Sequence, residues 1–219
     1  MKTQYIKRFF FCIMSLMLFA FGNVFGVKAA MAGTNAWNTL SLGISSSTGI
    51  SFGTATFLIS LVIIVIDLLG KGKLGFGTVL NAVLIPVFSD AFLSLLSWIP
   101  PAANPVWGAA YTLAGQTIIS FATVFYMLPA LGCGPRDTLM IIIGRRFPRA
   151  PIGVVKFCLE AGALAFGFLM GAPFGIGTVL VMLLQASLFQ LACRAVQYEP
   201  RSVSHEDILC TFKKLTGKA

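Results

Sequence analysis

Long unbroken apolar runs, separated by short polar or Gly/Pro-rich breaks, dominate this chain. Six of them reach the ~17–25 residues a helix needs to cross the hydrocarbon of a bilayer. They cover roughly residues 9–27, 52–69, 78–99, 106–128, 154–170 and 176–196. None alternates with period two, as the strands of a membrane barrel do, so each is read as a helix. Gly70-Lys71-Gly72-Lys73 separates the second and third runs, Pro100-Pro101 and Pro105 the third and fourth, and Gly171-Ala172-Pro173 the fifth and sixth. These are residues that stop helices and make turns. Two shorter segments, 35–47 and 135–147, are too short to cross unaided and fit re-entrant or interfacial helices.

Composition agrees with the pattern. Of 219 residues, 57% are hydrophobic and 11% charged, where a soluble domain has roughly 45–50% and about 25%. A soluble enzyme, a disordered chain and a fibrous repeat are excluded. The net charge of +9 suggests nucleic acid only until the charges are placed. With the N-terminus in the cytoplasm, fourteen of the sixteen Lys and Arg fall on cytoplasmic segments; Lys28 lies outside and Lys156 within a run. That asymmetry is the positive-inside code, so both termini are expected in the cytoplasm and no nucleic-acid partner is expected. Arg145, Arg146 and Arg149 are suited to anionic lipid headgroups. Lys2, Lys7 and Arg8, an apolar run and Ala30-Met31-Ala32 resemble a secretory signal, but the run exceeds the ~7–15 residues of a signal core. It is therefore read as a retained first span.

The two halves of the chain echo each other. Gly75-Phe76-Gly77-Thr78-Val79-Leu80 recurs as Gly175-Ile176-Gly177-Thr178-Val179-Leu180, at an offset of 100, which Gly53 and Gly153 keep. Upstream, the block beginning Gly33-Thr34-Asn35-Ala36-Trp37-Asn38 recurs from Gly132-Cys133-Gly134-Pro135-Arg136-Asp137 at offset 99. Several matches in order at a nearly constant offset indicate duplication. Each copy holds a span, a short segment and two further spans. Three crossings per copy insert the second copy upside down, giving inverted repeats about an axis in the membrane plane, an architecture of several transporter classes. The glycine blocks are not a dinucleotide fingerprint, since no strand precedes them. Thr78 and Thr178 are expected to cap their helices.

The paired Gly-x-Gly-Thr blocks, Gly134-Pro135-Arg136-Asp137 and six spans in this length resemble the bacterial YczE-like integral membrane proteins of the YczE/YyaS/YitT group, over residues 9 to about 197. The resemblance implies a helical membrane protein and carries no agreed activity. This chain has Asn35-Ala36-Trp37-Asn38 where such proteins usually have Gly-Pro-Trp-Asp. A symmetric acid pair is thus an Asn38–Asp137 pair here.

Ionisable groups at membrane depth cost about 2.5–3.5 kcal/mol on insertion scales, so each is a functional candidate. Glu160 falls near the middle of the fifth run, with Lys156 one turn before it on the same face. Asp90 is placed roughly mid-way along the third, after Pro86, and Gln190 is its repeat counterpart. Gln116 is central in the fourth run. Asp90, Glu160, Lys156, Gln116 and Gln190 are the candidate midplane polar site, and Arg136 and Asp137 a candidate cytoplasmic gate. Asp67 is expected to pair with Lys71 at the interface. The cysteines Cys12, Cys133, Cys158, Cys193 and Cys210 show no paired or metal spacing. No metal, cofactor or catalytic constellation is expected. Ser204 is read as the cap of a short tail helix.

The expected fold is all-α: a polytopic membrane domain over 1–198, with repeats at about 6–99 and 106–197, and a cytoplasmic tail over 199–219. The expected role is a small inner-membrane transporter or permease. The alternative is a non-transporting membrane partner that anchors or regulates a neighbouring enzyme or complex. A unit this small would need a homodimer to enclose a wide pathway.

Overall fold

The computed structural model describes residues 2–198 and 206–216. Among these residues the regular elements are helices: α1 (Lys2–Lys28), α2 (Ala36–Thr48), α3 (Phe52–Leu69), α4 (Phe76–Leu95), α5 (Pro105–Met127), α6 (Pro135–Arg146), α7 (Ile152–Leu169), α8 (Ile176–Val196) and α9 (Ile208–Thr216), with one 3-10 turn at Ala30–Ala32. Four of them, α1, α3, α4 and α8, are long and apolar enough on their own to cross a bilayer. α5 and α7, with 23 and 18 residues, rise about 34 and about 27 Å, so they have the length as well. They carry Gln116, Ser120 and Thr123, and Lys156 and Glu160, which line an internal cavity. α4 ends at Leu95 rather than at 99, because the chain turns before Pro100-Pro101.

α1 and α5 form the central pair. They cross at Gly22 and Gly115, where a Cβ on Gly115 would lie 2.7 Å from the Gly22 carbonyl oxygen, so the backbones touch. α4 flanks α1 and α8 flanks α5. α2 packs along α7 through Gly43 and Gly167, with a Cβ on Gly167 only 2.6 Å from the Leu40 nitrogen. α6 packs along α3, where Gly70 and Gly72 face the Ile142 side chain. α3 also packs along α4, whereas α7 has no comparable packing against α8.

The repeated glycine blocks dock crosswise. At the start of α4, the Gly77 N–H donates to the Leu131 carbonyl at 2.8 Å and the Thr78 hydroxyl to the Cys133 carbonyl at 2.6 Å. Thr78 Oγ1 also accepts from the Gly75 N–H, the expected capping role. At the start of α8, a Cβ on Gly177 would lie 2.8 Å from the carbonyl oxygens of both Ala32 and Gly33. Gly33 itself needs its left-handed φ of 76° for this approach. Thr178 is fully buried there but its hydroxyl has no partner among the described residues.

The tail folds back onto the end of the bundle that carries the α1 N-terminus and the α3–α4 turn. Glu206 N–H donates to the Ala130 carbonyl, and Ile208 N–H to the Leu74 carbonyl. Asp207 caps α9 by accepting from the Cys210 N–H at 2.6 Å; Ser204, the cap expected from the sequence, lies outside the described residues. The Glu206 carboxylate accepts hydrogen bonds from Tyr5, Arg8, Thr211 and Lys214 at 3.0–3.3 Å. Burial pushes this carboxyl up, but the donors outweigh it and hold it below its ordinary 4.5. A depressed carboxyl stabilises the fold above its unfolded pKa, and that contribution is lost as pH falls through the folded value. Amide exchange over 206–214 should therefore accelerate as pH drops below about 4.5 after correction for intrinsic rates. Glu206→Gln should flatten that acid limb, and an unchanged limb would refute the assignment.

Candidate functional site

α2 and α6 bring their N-termini into the interior from opposite ends of the bundle. The C-terminal end of α2 lies beside the end of α7, with Ser46 against the Met170 carbonyl. The far end of α6 lies beside the α3–α4 turn. Their N-termini meet across a cavity of about 650 Å³, where the Arg136 guanidinium of α6 sits over the Trp37 ring of α2, 4.8 Å from its centroid. The two ends differ. Asn35 Oδ1 caps α2 by accepting from the Asn38 N–H at 2.9 Å, whereas α6 starts at Gly134-Pro135 with no side-chain cap.

The cavity collects five of the residues singled out in the sequence: Glu160, Lys156, Gln116, Arg136 and Asp137. Glu160 is buried, and its carboxylate accepts a hydrogen bond from the Gln185 amide of α8. Lys156 Nζ lies 3.9 Å from the other oxygen and is half exposed. Asp137 Oδ2 accepts from the Tyr126 hydroxyl at 3.0 Å. Gln116 Oε1 accepts weakly from Asn35 at 3.5 Å. Arg136 and Asp137 stand at the α6 N-terminus, where both line this cavity.

Two of the candidates lie elsewhere. Gln190 is exposed and belongs to a shallow groove with Arg194. Asp90 sits near the end of α4, where its carboxylate accepts from the Gly53 N–H at 2.6 Å and from the Ser51 hydroxyl, fastening α4 to the first turn of α3. Asp90 thus does the work of a helix cap. Hydrogen bonds to a charged group are worth about 1.5–3 kcal/mol. Asp90→Ala is expected to lower the melting temperature of the solubilised protein by about 4–8 °C; an unchanged value would show the contact carries no load. Asp67 does not pair with Lys71. It is fully buried with neither carboxylate oxygen partnered among the described residues, while Lys71, past the end of α3, takes a left-handed φ of 57°.

The sequence reading missed the buried amide chain in the cavity wall. Asn38 donates to Asn23 at 3.1 Å, and Asn23 to the Ser89 hydroxyl at 3.1 Å, joining α2, α1 and α4. Asn23, a lone amide in an apolar run, was the available signal.

This is an integral membrane protein: an all-helical bundle whose apolar helices sit in the lipid bilayer around an interior cavity of mixed polar and apolar lining. Residues 6–194 match the family of unknown function DUF6198, and the chain belongs to that family. It is 35% identical over 171 residues to an uncharacterized protein of Haemophilus influenzae, covering 76% of each chain. It is 27% identical over 194 residues, 88% of each chain, to the uncharacterized membrane protein YczE of Bacillus subtilis, and is a YczE-like membrane protein. No solved structure matches it.

Proposed function

We propose that this protein is a small bacterial inner-membrane transporter whose solute site is the cavity between the N-termini of α2 and α6, with both chain termini in the cytoplasm. The observation that carries this reading is the convergence of two half-helix N-termini and a buried carboxylate, Glu160, on one interior cavity. Discontinuous helices that aim their N-termini at a midplane site are the architecture of secondary transporters.

Two inverted repeats, α1–α4 and α5–α8, are supported by the packing. α1–α4 corresponds to α5–α8 contact, and α2–α7 to α6–α3. The crosswise docking of the glycine blocks follows the same exchange. One pairing differs: α3 packs along α4 and is fastened to it through Asp90, while α7 and α8 lack comparable packing and meet through the Glu160–Gln185 hydrogen bond. In an alternating-access cycle one pair is closed while its counterpart is open, so this asymmetry fits a state entered from the Lys156 and Tyr198 side. The tail, the partner-facing segment of the anchoring alternative, is occupied by its own chain through Glu206.

The test is a metabolite profile of a deletion strain complemented with the wild type or with Glu160→Gln. The wild type should restore the level of at least one small solute and the variant should not. If no solute changes on deletion, or Glu160→Gln restores fully, the reading fails.

A further inference from the structure

The charges in the cavity are unevenly served. Asp137 has the Tyr126 hydroxyl, and Glu160 has Gln185 and the nearby Lys156. Arg136 has neither a hydrogen bond nor an ion pair among the described residues; its guanidinium stacks on Trp37, with Asp137 and Glu160 within electrostatic reach. Stacking occupies the face of the guanidinium and leaves its in-plane N–H donors free. A planar fork of donors matches a carboxylate bidentately.

The charge balance sets the valence of what fits. Arg136, Lys156, Asp137 and Glu160, which all line the cavity, sum to zero. Two helix N-termini facing it add roughly +0.5 each, so together they balance one negative charge. A dianion would leave a charge uncompensated in a low-dielectric interior. Apolar side chains complete the wall, among them Phe19, Ile119, Met140, Leu159 and Phe189. They favour an organic body over an inorganic ion.

We infer that the cavity binds a small monocarboxylate, its carboxylate on Arg136 and its apolar body against the Met140–Leu159 side. This rests on the cavity being a solute site and adds the class of solute. The relevant experiment is thermal unfolding of the full-length detergent-solubilised protein with acetate, butyrate, hexanoate, benzoate, butyramide and inorganic phosphate. Hexanoate and benzoate should raise the melting temperature saturably, with weaker effects from shorter acids and none from butyramide or phosphate. Arg136→Gln and Arg136→Lys should each raise the half-saturating concentration about tenfold or more, since both lose the fork. Arg145→Ala, at the far end of the same helix, should leave it unchanged.

Phosphate as effective as hexanoate, a response to butyramide, or a carboxylate response indifferent to both Arg136 variants would each overturn the inference, as would no response from the folded wild type. Saturable carboxylate binding alongside a failed complementation test would uphold the site and remove transport. A solute phenotype dependent on Glu160 without carboxylate binding would do the reverse.

Discussion

Gly75→Ala is expected to lower the melting temperature of the solubilised protein by about 6–12 °C, while Gly153→Ala changes it by less than about 2 °C. A methyl group on Gly75 would lie 2.5 Å from the Gly132 Cα and 2.6 Å from the Glu206 carbonyl oxygen, and closer still to the Leu131 carbonyl oxygen. All three are backbone atoms, so no side-chain rotation relieves the overlap; the loop before α6 and the tail must both move. Overpacking typically costs about 1–3 kcal/mol and occasionally more, and overlap with three backbone atoms at once puts this substitution at the upper end of that range. The φ of −101° at Gly75 suits any residue, so the effect is steric rather than conformational. Gly153 keeps the repeat spacing with Gly53, but a methyl there meets nothing within 4 Å. Equal melting temperatures for the two variants would mean that the crosswise docking does not hold the halves together.

Glu160→Gln is expected to leave folding intact and to reduce solute movement at least about tenfold. The replacement is nearly isosteric, and its carbonyl still accepts the hydrogen bond from Gln185. What disappears is the negative charge, the one buried carboxylate of the cavity placed between α7 and α8. A melting temperature within about 2 °C of the wild type, together with lost complementation, separates a role in solute movement from a structural one. Glu160→Leu supplies the contrast. It strands the Gln185 amide without its acceptor, which costs about 1–3 kcal/mol, so it should lose stability as well. A fully active Glu160→Gln variant would remove this carboxylate from the mechanism.

Much of the architecture was legible because it is local. The length of the apolar runs located the long helices, and the short segments at 35–47 and 135–147 became α2 and α6 within a residue at each end. Glu160 was legible because a carboxylate in an apolar run has few places to go. Asp90 misled for a specific reason. The apolar run continued past the true end of α4 through Trp98 and Ile99, so its midpoint fell too near Asp90 and hid the capping role. The Asp67–Lys71 spacing assumed a continuous helix, whereas α3 ends at Leu69.

By itself the sequence determined that the chain is a helical membrane protein and where its helices run. Those properties depend on the solvent each segment meets, which a run of neighbouring residues records. Only the tertiary structure decided that Trp37 lies beneath Arg136, that each glycine block docks on the other half, and which polar groups share the cavity. These contacts join residues far apart in the chain, and they depend on how helices cross, which no local periodicity contains.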